Sequence, residues 1–206
     1  MKSKIILIRH GITIGNERRL YYGSTDVPLA EKGKEQLQKQ KEEGLYPYSD
    51  TAEFYTSGML RTEQTLEIIY GDRPHKKIEE LRELNFGDFE MKRYEELNDN
   101  PDYQAWIMAG NDEAKPPNGE SMKAFGERIR AGFKELVREN RLQMLKFRNE
   151  EKEAMTICIC HGGVISAIMD SIWPGVEKNF YEWIPDPGHG YTLLVEDCSI
   201  EGWELF

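Results

Sequence analysis

Lys4-Ile5-Ile6-Leu7-Ile8, which runs directly into Arg9-His10-Gly11, indicates how this 206-residue chain folds. A continuous apolar run is typical of a strand that is buried on both faces of a parallel sheet. A second such run, Ala154 to Cys160, is followed by His161-Gly162-Gly163. A glycine directly after a strand lets the backbone turn tightly and approach a ligand. The two stretches therefore predict two parallel strands whose ends carry one histidine each.

The rest of the chain alternates between helix-like and strand-like segments, which indicates an α/β fold, a three-layer sandwich around a mainly parallel sheet. We predict one domain over residues 1–206, with an irregular, lid-like insert at about 92–118. Ser57 is predicted to cap the helix that follows the predicted strand at Glu53 to Thr56. Further strands are predicted at Glu53 to Thr56, Lys77 to Leu81, Tyr191 to Glu196 and Gly202 to Phe206, and helices at Leu29 to Glu43, from about Leu60 to Tyr70, at Ser121 to Arg148 and at Val164 to Ile172.

Composition narrows the class of partner. The net charge is −10, and an acidic surface repels nucleic acid and anionic membranes, so neither is expected as a partner. No apolar run reaches the roughly 18 residues that a membrane span needs, and the basic N-terminus is not followed by the apolar segment of a secretory signal. Three cysteines suggest a reducing compartment, and we expect the protein in the cytoplasm.

Charged side chains follow three of the predicted strands. Arg9 and His10 end the first strand, His161 ends another, and Arg61 lies shortly after a third. Because the carboxyl ends of parallel strands share one edge of a sheet, these side chains are expected to meet there. Two guanidinium and two imidazole groups would form a positive site in an acidic protein, and arginine matches the paired oxygens of phosphate.

Four motifs in order along the chain carry a resemblance to a known family. They are Leu7 to Gly11 with Asn16 and Tyr22 to Leu29, then Ser57 to Thr65, Leu81 to Glu90, and Cys160 to Gly163. The sequence resembles the histidine phosphatase superfamily, the phosphoglycerate mutase-like clan. The segments Glu83 to Glu90 and Pro117 to Ser121 are most similar to its α-ribazole phosphatase and broad-specificity phosphatase branch.

The resemblance implies a role for each matching residue. It makes His10 the nucleophile and Glu83 the proton donor to the leaving oxygen of a small phosphomonoester, with no metal and no cofactor. The remaining residues would bind the transferring phosphoryl group or the substrate: Arg9, Arg61 and His161, then Asn16, Tyr22 and the backbone near Gly23 and Gly162. Physical chemistry is consistent with these roles, because phosphoryl transfer needs in-line positioning and stabilised charge on the equatorial oxygens.

Three functions stay open at this stage. The first is a phosphatase. The second is a phosphoglycerate mutase-type isomerase, which needs a second anion site; the stretch Ala109 to Gly119, where mutases of the clan carry paired arginines, contains only Lys115. The third is a phosphate- or protein-binding module without catalysis, against which the combination of nucleophile and acid argues. A homodimer is also left open.

Two further groups of residues have alternative interpretations. His189 precedes a predicted strand, and it either reaches the rim of the pocket or stays in a loop. Tyr94, Tyr103 and Trp106 either line the pocket or pack the insert.

Overall fold

The computed structural model describes residues 1–150 and 152–206, and a six-stranded sheet runs through its centre. The strands are β1 (Lys2–Arg9), β2 (Ala52–Thr56), β3 (His75–Lys77), β4 (Ala154–Cys160), β5 (Gly190–Glu196) and β6 (Ser199–Leu205). The α-helices are α1 (Ile14–Arg18), α2 (Glu31–Glu42), α3 (Leu60–Tyr70), α4 (Tyr94–Leu97), α5 (Pro101–Met108), α6 (Met122–Phe147) and α7 (Gly162–Ile172). Three short 3₁₀ helices occupy Glu79–Leu81, Gly87–Phe89 and Phe180–Trp183.

The order of strands brings the ends of the two apolar runs together. The sheet has the order β3-β2-β4-β1-β5-β6, in which the first four strands are parallel, β5 runs antiparallel to β1, and β6 runs antiparallel to β5. Arg9 is the register partner of Cys160, so His10 and His161 leave adjacent strands at the same level. The predicted α/β fold with a mainly parallel sheet is confirmed.

Burial on both faces explains why the apolar runs do not alternate with polar residues. Ile5 and Leu7 belong to a core on one face, with α6 and α7, whereas Ile6 and Ile8 belong to a core on the other, with α2 and α3. All four side chains are fully buried. A parallel sheet covered by helices on both sides requires such strands. The layers therefore follow from the sequence of β1 itself.

Three local predictions were wrong in detail. The N-cap of α3 is Met59 and not Ser57, because the Ser57 hydroxyl contacts His161 instead. The segment predicted as a strand at Lys77 to Leu81 contains only the end of β3 and then a 3₁₀ turn.

The segment 92–118 is also more regular than predicted, since it contains α4 and α5. Asn100 accepts hydrogen bonds from the N–H groups of Asp102 and Tyr103, and Pro101 occupies the first turn of α5. A side-chain cap followed by proline is a standard helix start. Within residues 1–150 and 152–206, no helix combines the length and the apolarity needed to cross a membrane.

Candidate active site

A cavity of about 610 Å³ opens at the edge of the sheet where β1 and β4 end. His10 lies at its base, 3% exposed, and the centroids of the His10 and His161 rings are 5.2 Å apart. Its lining includes the predicted site residues Arg9, His10, Asn16, Tyr22, Arg61, Glu83 and Gly162, together with Gly163. The rest of the lining is apolar or aromatic: Leu20, Tyr21, Leu84, Phe86, Trp106, Ile107, Met122, Phe125, Phe180, Tyr181 and Ile184.

The hydrogen bond of the His10 ring determines which nitrogen is free. Nδ1 lies 2.7 Å from the carbonyl oxygen of Gly11. A carbonyl can only accept, so Nδ1 carries the proton and Nε2 keeps its lone pair. Burial, and then the charges of Arg61 and Arg9, hold the pKa of His10 well below 6.5, its ordinary value. His10 is therefore a neutral imidazole with one nitrogen available as a nucleophile.

Arg61 is fully buried and anchored on three sides. Its terminal nitrogens donate to the carbonyl oxygens of Gly23 at 2.7 Å and Thr25 at 3.0 Å. Its Nε–H donates to His161 Nδ1 at 3.2 Å, and the guanidinium lies over the Tyr22 ring at 5.3 Å. These contacts use only part of the five N–H groups of arginine, and the side chain lines the cavity. Arg61 is thus a rigid cation with donors left for an anion.

Arg9 presents a second cation with unused hydrogen-bonding capacity. One terminal nitrogen donates to the Pro185 carbonyl at 2.7 Å, while its buried Nε has no hydrogen-bond partner among the described residues. A Cβ added at Gly162 would lie 2.9 Å from Ile184 Cγ2 and 3.1 Å from that Nε, so a larger residue would have to displace these side chains. Gly162 is also the first residue of α7, and a helix N-terminus favours anions. A buried donor without a partner is costly, and a bound anion would satisfy it.

Glu83 faces the same cavity and is held by the backbone. Its two carboxylate oxygens accept from the N–H of Gly163 and from the N–H of Leu84, both at 3.0 Å. Arg128 of α6 forms a two-point pair with Glu120 and donates to carbonyl oxygens of the segment that carries Glu83. The carboxylate is therefore fixed in position between α6 and α7.

His161 lies beside the cavity but does not line it. Because Arg61 Nε–H donates to its Nδ1, the proton of the neutral ring lies on Nε2, which is 2.8 Å from the Ser57 hydroxyl. Burial, then the positive charge of Arg61, keep the pKa of His161 well below 6.5. Both ring nitrogens have partners within the protein, and direct phosphate binding by His161 stays a prediction.

Three other predicted binding residues are placed differently from one another. Asn16 lines the cavity, and its Oδ1 accepts from the N–H and hydroxyl of Thr13, which leaves the amide nitrogen to donate. Tyr22 lines the cavity beneath Arg61. Gly23 does not, because its N–H donates to Glu90 and its carbonyl accepts from Arg61. Gly23 therefore supports Arg61, and the expected contact between its backbone and a ligand stays a prediction.

The residues that had two interpretations differ in their position relative to the cavity. Trp106 lines the cavity, Tyr103 is buried in a small core with Phe89, and Tyr94 is exposed. The His189 ring lies 2.9 Å from the Gln40 amide and away from the cavity.

Three supporting features of the site were not predicted from the sequence. They are the Glu90 carboxylate, which binds the 23–25 loop, the Arg128 guanidinium, which binds the segment that carries Glu83, and the cavity lining from Phe180–Ile184. Glu90 stood in a quoted motif, where its being an acid at the end of a loop was the only available signal. The lining from Phe180–Ile184 carries no signal in the sequence, since it depends on packing against α7.

The two buried histidines predict a pH dependence of stability. Their pKa values are lowered in the folded state, so the unfolded chain binds more protons below pH 6.5, and the free energy of unfolding falls as the pH decreases from there. The slope is expected to be about 1.4 kcal/mol per pH unit for each histidine until its folded pKa is reached. Urea unfolding between pH 7.5 and 5.5 measures it. A His10→Gln variant should show a shallower slope, and equal slopes would contradict this explanation.

Known proteins resemble this chain in sequence and in fold. The profile of the family described as histidine phosphatase superfamily (branch 1) matches residues 5–201. A Yersinia enterocolitica protein described as probable phosphoglycerate mutase GpmB is 33% identical over 139 residues, a match that covers 63% of this chain and 61% of that protein. The match thus leaves more than a third of that relative's length uncovered.

Two solved structures share the architecture over nearly the whole chain. The alpha-ribazole phosphatase from Shigella flexneri has a TM-score of 0.72 at 25% identity, covering 96% of this chain and 94% of that one. An Escherichia coli K-12 structure, described as a candidate alpha-ribazole-5'-P phosphatase, has a TM-score of 0.76 at 25% identity, covering 99% and 94%.

Proposed function

This chain belongs to branch 1 of the histidine phosphatase superfamily, and on that premise we propose that it hydrolyses a small phosphomonoester through a phosphohistidine at His10. The observation that carries the proposal is the state of His10. Its ring is buried and neutral, its Nε2 is unprotonated, and Arg9, Arg61 and Glu83 line the same cavity.

In the first step, His10 Nε2 attacks phosphorus and the bond between phosphorus and the leaving oxygen breaks. Arg9 and Arg61 stabilise the charge on the equatorial oxygens, so the proposal requires no metal. Glu83 must enter this step in its protonated form; it gives that proton to the leaving oxygen, which departs as an alcohol and leaves Glu83 as a carboxylate. In the second step a water attacks phosphorus, Glu83 takes a proton from that water, and phosphate leaves while His10 regains its lone pair.

The largely apolar lining of the cavity supports a phosphatase over a mutase. Phosphoglycerate carries a carboxylate, and a mutase must also hold a second phosphate. Among the described residues that line the cavity, Arg9 and Arg61 are the only lysines or arginines, and both lie at the His10 end. Lys115, the one cation of the segment 109–119, does not line it. An apolar lining favours a leaving group without a second negative charge.

The mutase remains the second candidate because of the sequence similarity to GpmB. A binding module without catalysis is the third. It would account for the arginines, but it gives no reason for an unprotonated His10 Nε2 in the same cavity as a fixed carboxylate.

We place this activity in the cytoplasm and on a dissolved small molecule. The three cysteines are unpaired, which is usual in a reducing compartment. The net charge of −10 disfavours nucleic acid and anionic membranes as partners.

The three candidates differ in their products. Protein treated with a chelator is incubated with an aryl phosphate, glycerol phosphate or 3-phosphoglycerate. Phosphorus NMR follows the release of free phosphate and the position of the phosphoryl group on the glycerate. We expect release of phosphate, fastest from the aryl ester. A phosphate that moves within phosphoglycerate without release would establish the mutase. Phosphate binding without release or movement would support the binding module.

A further inference from the structure

The Glu90 carboxylate is bound by backbone N–H groups from two separate segments. Its oxygens accept from Gly23 at 3.0 and 3.1 Å, and from Ser24, Thr25 and Phe86 at 3.0 Å. In the described part of the chain, no lysine or arginine forms an ion pair with it. Burial opposes its charge, but these hydrogen bonds outweigh burial and lower the pKa of Glu90. The side chain is therefore a charged acceptor for a set of converging donors.

The same loop that Glu90 binds through its N–H groups binds Arg61 through its carbonyls. Gly23 and Thr25 each donate to Glu90 and accept from the Arg61 guanidinium. The loop has little freedom to shift, since a Cβ added at Gly23 would lie 1.7 Å from the Leu84 carbonyl oxygen. Glu90 thus holds the N–H groups of this loop, and Arg61 is held by its carbonyl oxygens.

A further link joins this loop to the segment that carries the acid. Phe86, which donates to Glu90, and Asn85, which accepts from the Ser24 hydroxyl at 3.0 Å, both lie between Glu83 and Glu90. The carboxylate of Glu90 therefore connects the support of Arg61 with the backbone that leads to Glu83.

We propose that Glu90 is a positioning residue that holds the 23–25 loop so that Arg61 is aligned to bind the phosphoryl group. The proposal rests on the phosphate site inferred above. Glu90 does not line the cavity, so its effect on a bound phosphoryl group must pass through residues that do, and Arg61 is the one that its loop holds. A carboxylate is required because two oxygens meet donors only; the amide nitrogen of glutamine would face N–H groups and repel them.

The test is a double-mutant cycle between Glu90→Gln and Arg61→Ala. In calorimetry with inorganic phosphate, Glu90→Gln should weaken binding by about tenfold or more, because misaligned charge-assisted donors are lost. In the Arg61→Ala background the same change should alter binding less than about twofold, since coupled residues are not additive. Glu95→Gln is the matched control, because Glu95 is exposed and its side chain makes no hydrogen bond within the described residues.

Each outcome discriminates. Equal phosphate binding by wild type and Glu90→Gln, or an equal loss in both backgrounds, would overturn the proposal. Wild-type protein that bound no phosphate would remove the proposed function and this role with it. Circular dichroism checks folding, and if Glu90→Gln does not fold, Glu90→Asp enters the same cycle, since it keeps the charge and should lose less binding than Arg61→Ala.

Discussion

Phosphatase turnover by the His10→Ala variant should fall by a factor of about a thousand or more, because the substitution removes the nucleophile that the covalent route requires. The fold should survive, since the substitution removes a ring at the base of a cavity and leaves the backbone hydrogen bond from His10 to Cys160 intact. The measurement compares initial rates with an aryl phosphate for wild type and variant, both treated with a chelator. A radiolabelled phosphoenzyme should form in wild type and be absent from the variant.

His189→Ala is the matched control for that experiment. The His189 ring contacts Gln40 and does not line the cavity, so turnover should stay near the wild-type value. Residual activity of His10→Ala above about a thousandth of wild type would remove His10 as the nucleophile. Loss of the label with turnover preserved would instead show that water attacks the substrate directly.

The pairing of the two histidines could be predicted from sequence because it depends on one rule of parallel sheets. Two fully apolar strands had to lie inside the sheet, their carboxyl ends had to share an edge, and the residues after them had to meet. The register of Arg9 with Cys160 shows that the rule holds here to the residue. Placing Arg61 required only that the second strand end at the same edge, which β2 does beside β4.

Other parts of the site could not be read from sequence, since they depend on contacts between distant segments. Ser57 is a residue type that is common at helix N-caps, but its hydroxyl contacts the His161 ring. Glu90 was part of a recognised motif, yet three of its four partner residues lie more than 60 positions earlier. The helices α4 and α5 are short and carry no long apolar period, so their caps were the only clue.

The Glu83→Gln variant should discriminate between leaving groups. It keeps an acceptor for one N–H but has no acidic proton, so an alkoxide must leave unassisted. A general acid contributes typically 10²- to 10⁴-fold, and we expect kcat/KM for glycerol phosphate to fall by about a thousandfold. For an aryl phosphate the leaving phenolate is stable without a proton, and kcat/KM should fall by less than about tenfold. Glu79→Gln, an exposed change beside the same segment, should affect neither substrate.

The second step makes this test sharper than a comparison of overall rates. With an aryl phosphate the variant can still form the phosphohistidine, but the water that hydrolyses it lacks its base. The phosphoenzyme should then accumulate, giving a burst of phenol equal to the enzyme concentration followed by slow turnover. The burst requires one carboxylate to act as acid in the first step and base in the second. Equal slowing of kcat/KM for both esters, with no burst, would show that Glu83 only shapes the cavity through its hydrogen bond with Gly163.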